Sequence, residues 1–346
     1  MRALTTLPGS AHTLRLEQVP EPPAEQGQIL VETRAIGLCG TDREISKGQY
    51  GEAPPGAQRL ILGHESIGRV LEAPPGTGFA AGDWVVGIVR QPDPVPCPSC
   101  AVGEWDMCRN GLYTEHGIRA RHGFGADRYR IEAHYLVKVA PELGELGVLL
   151  EPTSVVAKAW EQIARIGARA HWQPRRALVT GAGPIGLLAA LLGRQRQLEV
   201  HVLDRVTDGP KPELVRQLGA TYHSGELAAC GQDWDIIVEC TGAAALFFAA
   251  IEAAAPDGIV CLTGVSSGGH LREINAAALN RELVLENNVV FGTVNANRRH
   301  YEQAAVSLAA AERAWLERLI TRSVPVEQFA DAFERRPGDV KTILTF

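Results

Sequence analysis

The sequence predicts a mixed α/β chain in two parts, a β-rich domain with long loops followed by a doubly wound parallel sheet. Three observations predict it. The first part, to about residue 150, is rich in Gly and Pro and carries short β-branched runs; the texture then changes to alternating strands and helices; and a glycine-rich turn stands where a strand of the second part meets its helix.

In the first part the strands are expected at "QILVETRAIG", "ESIGRVLEA", "GDWVVGIV" and "YLVKVA". A long helix is expected at "LLEPTSVVAKAWEQIARIG", whose apolar spacing suits one buried face. From Arg176 the order becomes strand "RALVTG", helix "PIGLLAALLGRQ", strand "EVHVLD", helix around "PELVRQLG", strand "WDIIVECTG" and helix "AALFFAAIEAAA". The strands "GIVCLTGV" and "NVVFGTVN" follow. Strands separated by helices build βαβ units and therefore a parallel sheet. The tail begins helical at "RRHYEQAAVSLAAAERAWLERLI" and ends as a strand, "KTILTF", that can return to the first part. The expected domains are 1–152, completed by 298–346, and 153–297.

Composition narrows the function. The chain has 346 residues, 45% of them hydrophobic and 21% charged, with a net charge of −6. No basic cluster is present to neutralise phosphates, so a nucleic-acid partner is not expected. The opening "MRALTTLPGSAHTLRLEQVPEPP" lacks the apolar core of an export signal, and no apolar run is long enough for a bilayer span. A cytoplasmic protein without membrane contact is expected. Seven cysteines, an odd number, point to reduced thiols or metal ligands rather than a disulfide framework.

"ALVTGAGPIGLLAALL" places Gly181, Gly183 and Gly186 as G-x-G-x-x-G between a strand and a helix, with Pro184 and Ile185 inside the motif. The glycines allow a tight turn, close approach of a pyrophosphate and close helix packing, and the helix N-terminus offers amide donors to the anion. Asp204 ends the next strand about twenty residues on, where a carboxylate bonds ribose hydroxyls and repels a 2′-phosphate. Arg205 follows and could pair with that phosphate. NAD is expected, with NADP use open. Thr241 is placed among the further cofactor contacts.

Cys39, His64, Glu65 and Glu151 each lie at the end of an apolar run beside Gly or Pro. Thiolate, imidazole and carboxylate suit zinc, and three protein ligands with an open position define a catalytic site. Spacing alone does not join them. The motifs "GLCGTD", "LGHE", "GDWVVG", "LLEPTSVVAKA" and "GAGPIG", however, resemble those of the zinc-dependent medium-chain alcohol and polyol dehydrogenases over essentially the whole chain. "MCRNGLYTEHGIRARHGF", "ELVLENN" and "GTVNANRRHYEQA" are similar to the glucose (aldose) dehydrogenase branch.

The resemblance implies a GroES-like β-rich catalytic domain, a Rossmann NAD(P)-binding domain and an active site in the cleft between them. It implies Cys39 and His64 as zinc ligands, Glu65 as a ligand or exchangeable partner, and Glu151 as a ligand held directly or through water. Thr41 stands where the family places a proton-relay hydroxyl; its plainer reading is a turn cap. Glu115, Glu151 and Asn295 are the implied substrate contacts, Asn295 being an implied cofactor contact near the nicotinamide as well, while His122 and His300 are read as structural. The implied reaction moves hydride from the C1 hydroxyl carbon of an aldose to NAD(P), giving a lactone. The implied oligomer is a homodimer or homotetramer built through the Rossmann sheet edge.

Cys97, Cys100 and Cys108 match the superfamily's structural-zinc lobe except that Gly103 stands at the third cysteine. A fourth ligand would have to come from elsewhere, with Glu104, Asp106 and His116 the candidates. Cys230, Cys240 and Cys261 read as small buried hydrophobes. The alternatives are a polyol, threonine or alcohol dehydrogenase of the same superfamily, a zinc-free quinone or enoyl reductase, and a non-catalytic dinucleotide-binding redox sensor. The reductase reading is disfavoured by the Cys-His-Glu set, and the sensor reading by the catalytic register of Cys39, Thr41 and His64.

Overall fold

The ten-residue strand Ile29–Leu38 organises the first part of the chain. Its side chains alternate between buried and half-buried before becoming fully buried at the C-terminal end. The computed structural model describes residues 1–266 and 273–346. They divide into one unit of Met1–Ser154 with Asn295–Phe346 and a second of Val155–Val294.

In the first unit, Ile29–Leu38 pairs antiparallel with Glu65–Glu72, with Arg128–Ile131 and with Lys341–Thr345. The main sheet runs Leu136–Lys138, Trp84–Gly87, Glu65–Glu72, Ile29–Leu38, Lys341–Thr345 and Ile320–Pro325 in spatial order. "KTILTF" therefore does return to this sheet. Leu4, Ile29, Val31, Ile36, Val70, Val85 and Phe124 fill the core beneath it.

The second unit is a six-stranded parallel sheet in the order Thr221–His223, Glu199–Leu203, Arg176–Thr180, Trp234–Glu239, Ala254–Leu262 and Val289–Gly292. The chain starts on a central strand, winds outward to one edge, then crosses back to build the other half. The reversal falls beside Arg176–Thr180, so the loop Gly181–Gly183 sits at the topological switch point, where such sheets bind ligands.

Two local expectations are corrected, and two further elements were not foreseen. The helix foreseen to Ala255 stops at Glu252, and a strand begins at Ala254, because Pro256 draws its neighbour toward extended backbone. The tail helix is two, Arg298–Ala309 and Arg313–Leu319, broken before Glu312, whose extended backbone starts the second. Ile320–Pro325 is a strand that its charge and terminal proline concealed. The helix Ala276–Leu285 buries no residue within this chain, so it carries no amphipathic signal to read.

Gly186 has no room for a side chain, since an added Cβ would collide with the carbonyl oxygen of Gly181. Gly186→Ala is expected to shift the turn and to cost about 1–3 kcal/mol of stability, as overpacking does. Paired thermal melts and NADPH titrations of the variant check this; an unchanged melt with unchanged binding refutes it.

Candidate metal centre and dinucleotide site

Leu38 ends its strand and the chain turns at once into a short helix, Gly40–Ser46, with Cys39 as its cap. The Cys39 amide donates to Asp42 Oδ2 at 2.9 Å, and Cys39 Sγ accepts from the Thr41 amide at 3.2 Å. Thr41 is half-buried, and its hydroxyl has no hydrogen-bond partner among the described residues.

His64 is buried at the entry to the strand Glu65–Glu72. Its Nε2 lies 3.1 Å from Cys39 Sγ, and its Nδ1 lies 3.3 Å from Asp42 Oδ1, at ion-pair distance but without the alignment of a formed hydrogen bond. One ring nitrogen thus faces the thiol while the other faces a fully buried carboxylate. Burial opposes a charged imidazole, but the charges of Asp42 and Cys39 outweigh it and raise the His64 pKa well above its ordinary value. Burial likewise opposes charge on Asp42, and His64 overcomes it, so that carboxyl sits below its usual range.

Glu65 is opposite Gly37 in the strand pairing, and its carboxylate forms a buried ion pair with Lys341, which also donates to Leu38 O at 3.3 Å. A side chain at position 37 would occupy the space where the two charges meet. Breaking such a pair by removing one partner costs about 3–5 kcal/mol, because the other charge is left buried alone. Glu151, in the first turn of the helix Leu150–Gly167, is half-buried nearby. Burial, then the charge of Glu65, push its carboxyl up to about 8.

Ligand atoms of Cys39, His64 and Glu65 lie within 4.8 Å of one another. A soft sulfur, an imidazole nitrogen and a carboxylate oxygen at that separation fit a zinc ion, and a carboxylate behind the histidine is the usual support for such a ligand. Glu151 stands outside this trio. A separate cavity of about 780 Å³ in the first unit, lined by Arg59, His122 and Tyr129 among others, contains none of these four residues.

In the second unit Gly181 adopts φ 92°, a left-handed conformation that glycine alone takes without strain, and its amide bonds Leu203 O at 2.6 Å. Gly183 caps the helix Pro184–Gln195, so Pro184 and Ile185 form its first turn. Asp204 Oδ2 accepts from the Ala182 amide at 2.6 Å and from Lys211 at 3.1 Å, while Oδ1 accepts from the Val206 amide at 3.1 Å. Burial opposes its charge, but these donors hold its pKa below the ordinary value. Arg205 is exposed. Thr241 donates its amide to Glu239 Oε1 at 2.7 Å, and its hydroxyl bonds the same buried oxygen.

Glu115 is buried and ion-paired with Arg90. Asn295 has φ 49°, and neither its amide nitrogen nor its amide oxygen finds a partner among the described residues. His300 is buried and caps its helix through Asn297, and His122 Nδ1 accepts from the Ile61 amide at 3.2 Å, as structural histidines do.

The sulfurs of Cys97, Cys100 and Cys108 lie within 4.8 Å of one another, and Gly103 has φ 81°, a backbone that a cysteine would resist. Amide donors from Arg109 and Cys100 bring the Cys97 thiol down to about 6, while burial pushes Cys100 up to about 11. None of the three candidate fourth ligands joins the cluster among the described residues. His116 is held by Gln91 and His122 O, Asp106 accepts from Asn297, and Glu104 faces Arg299.

A β-rich unit carrying a Cys-His-Glu set, in one chain with a parallel sheet bearing a dinucleotide turn, defines a zinc- and NAD(P)-dependent dehydrogenase of the medium-chain class. The first half matches the alcohol dehydrogenase GroES-like domain over residues 25–141, and the remainder matches the glucose dehydrogenase C-terminus over residues 144–346. The chain belongs to the glucose 1-dehydrogenase family.

It is 39% identical to glucose 1-dehydrogenase of Methanocella arvoryzae over 355 residues, covering 99% of each chain. It is 40% identical over 351 residues to glucose 1-dehydrogenase 2 of Vulcanisaeta moutnovskia, again covering 99% of each. Its structure is similar to that of Haloferax mediterranei glucose dehydrogenase in complex with NADP, Zn and gluconolactone, with a TM-score of 0.92 and 32% identity, covering 100% of this chain and 99% of the other.

Two residues that buttress the candidate site, Asp42 against His64 and Lys341 against Glu65, escaped the sequence reading. Asp42 lay in plain sight in "GLCGTD", and Lys341 is the one charge in the final apolar strand. Asp42→Asn is expected to weaken zinc retention about 10- to 100-fold, the usual effect of losing a partner behind a ligand. Chelator competition on the purified protein measures this, and retention equal to the parent's refutes the role given to Asp42.

Proposed function

We propose that this enzyme oxidises the C1 hydroxyl of an aldose such as glucose to the lactone and passes the hydride to NAD or NADP. What carries the reading is the meeting of Cys39 Sγ and His64 Nε2 at 3.1 Å, with Glu65 beside them, in a chain of this family. Cys39, His64 and Glu65 would hold the zinc, with Glu151 as a further ligand, directly or through water. A zinc ion in such a site supplies a Lewis acid that lowers the pKa of a bound hydroxyl.

The chain's own groups do the rest. Asp42 orients His64, and Lys341 holds Glu65. The unpartnered Thr41 hydroxyl moves the substrate proton toward solvent. Glu115, Glu151 and Asn295 grip sugar hydroxyls, and a site whose polar groups need those hydroxyls rejects analogues that lack them. The Gly181–Gly186 turn, Asp204, Arg205, Thr241 and Asn295 bind the dinucleotide, which carries out the redox chemistry once oriented.

Residues 1–152 with 298–346 form the catalytic domain in this reading, and 153–297 the cofactor domain. Cys97, Cys100 and Cys108 hold a second, structural zinc, which the closeness of the three sulfurs supports. A homodimer or homotetramer through the edge strand Val289–Gly292 fits its half-exposed Val289, Val290 and Phe291. A cytoplasmic location is in keeping with seven cysteines, an odd number that favours reduced thiols or metal ligands over disulfides. Separately, no helix among the described residues is long and apolar enough to cross a membrane.

The test is reduction of NAD and of NADP by purified, zinc-loaded protein with D-glucose, D-galactose, D-xylose, sorbitol, L-threonine and ethanol. Turnover of aldoses, lost on chelation, is expected; activity confined to sorbitol, threonine or ethanol would overturn the substrate class. Thr41→Val should lower kcat by about 10²- to 10⁴-fold, the range for a lost proton-transfer group.

Asp204 favours NAD by meeting ribose hydroxyls, and Lys211 offsets part of its charge. Asp204→Ala is therefore expected to shift the kcat/KM ratio toward NADP by about tenfold or more, on the order of one lost charge repulsion. An unmoved ratio would remove Asp204 from cofactor choice.

A further inference from the structure

Arg90 and Gln91 form a two-residue strand that pairs antiparallel with Thr114–His116, placing Arg90 directly opposite Glu115. Opposed residues in such a pair share a face of the sheet, so the two side chains meet. Both are buried, with 7% and 6% of their surface exposed. Arg90 Nε lies 3.0 Å from Glu115 Oε1, and Nη2 lies 2.9 Å from the same oxygen. The guanidinium also stacks on Tyr113, 3.5 Å from the ring centre.

The asymmetry is informative. A guanidinium and a carboxylate paired for their own sake adopt a fork, one nitrogen to each oxygen. Here Nε donates to Oε1 and Nη2 lies at ion-pair distance from the same oxygen, while Oε2 accepts no hydrogen bond among the described residues. A buried ion pair is also weak evidence of stabilisation, because an apolar pair of the same volume serves stability as well. What the arrangement does provide is a carboxylate kept in place by one oxygen while the other stays available to a donor.

The Tyr301 hydroxyl accepts from the amide of Val89, the residue before Arg90, at 3.2 Å. Burial raises its phenol pKa, and the charges of Glu151 and then Glu115 raise it further.

We propose that Arg90 is a positioning residue of the sugar subsite: by pinning Glu115 Oε1 it presents Oε2 as a fixed acceptor for one hydroxyl of the aldose, and so sets specificity without touching the substrate. The inference rests on the aldose reading above. It assigns Arg90 a role that neither "GIVRQPD" nor the charge pattern discloses.

The experiment compares kcat and KM for D-glucose and its 2-, 3- and 6-deoxy analogues in the parent enzyme, Arg90→Met and Arg90→Lys, with D-gluconolactone binding by calorimetry as a readout independent of turnover. In the parent, one deoxy analogue should lose much more kcat/KM than the others. In Arg90→Met the glucose kcat/KM should fall about 10- to 100-fold, chiefly through KM, and the special penalty for that analogue should shrink to within about threefold of the rest. Lactone binding should weaken in step. Arg90→Lys, which keeps the charge but loses the two-nitrogen grip, should fall between.

Unchanged discrimination among the deoxy sugars in Arg90→Met, or a fall in kcat shared equally by all of them, overturns the proposal. If Arg90→Met gives no cooperative melt, Arg90→Lys decides alone: its deoxy penalty must shrink, and an undiminished penalty overturns the proposal. Silence of the parent on every aldose defeats the substrate reading itself, and this inference with it, whereas an active parent with indifferent variants defeats this inference only.

Discussion

Two antiparallel pairings of one strand position the candidate metal centre. Ile29–Leu38 lies between Glu65–Glu72 and Lys341–Thr345, and it ends at Cys39. Its register sets Gly37 against Glu65 on one side and Ile343 on the other. The buried carboxylate and ammonium meet over a glycine that leaves them the space. A slip of one residue would turn every side chain to the opposite face, so the ligand geometry is only as firm as this register.

A second layer of support comes from local capping. Asp42 closes the first turn of a seven-residue helix onto the Cys39 amide and, in doing so, sets its other oxygen beside His64. One carboxylate thus fixes the backbone at one ligand and the ring at another. The dinucleotide turn follows the same economy, with Asp204 bonded to the Ala182 amide inside the motif it serves.

Much of the second unit was legible in the sequence, because each strand and helix there shows its own hydrophobic period and the glycine motif stands at a strand-to-helix junction. The helix Ala276–Leu285 was not, since it buries nothing in this chain. In the first unit the strands could be read but not their partners. Cys39, His64 and Glu65 became a set through likeness to a family rather than through spacing. Asp42, Arg90 and Lys341 stayed hidden because each acts as a counter-charge whose partner comes from a distant segment, and long-range pairing leaves no periodic trace.

Lys341 and Leu38, bonded in the folded enzyme, stand 303 residues apart in the chain. Between them lies the whole of the dinucleotide unit, so the first unit is discontinuous and closes only after that insertion has been synthesised. Until then Glu65 has no ammonium beside it, and burying it alone would be unfavourable. The strand that brings Lys341 to Glu65 is thus the last of its sheet to be synthesised, and its pairing with Ile29–Leu38 is of the high sequence separation whose loop-closure cost slows folding.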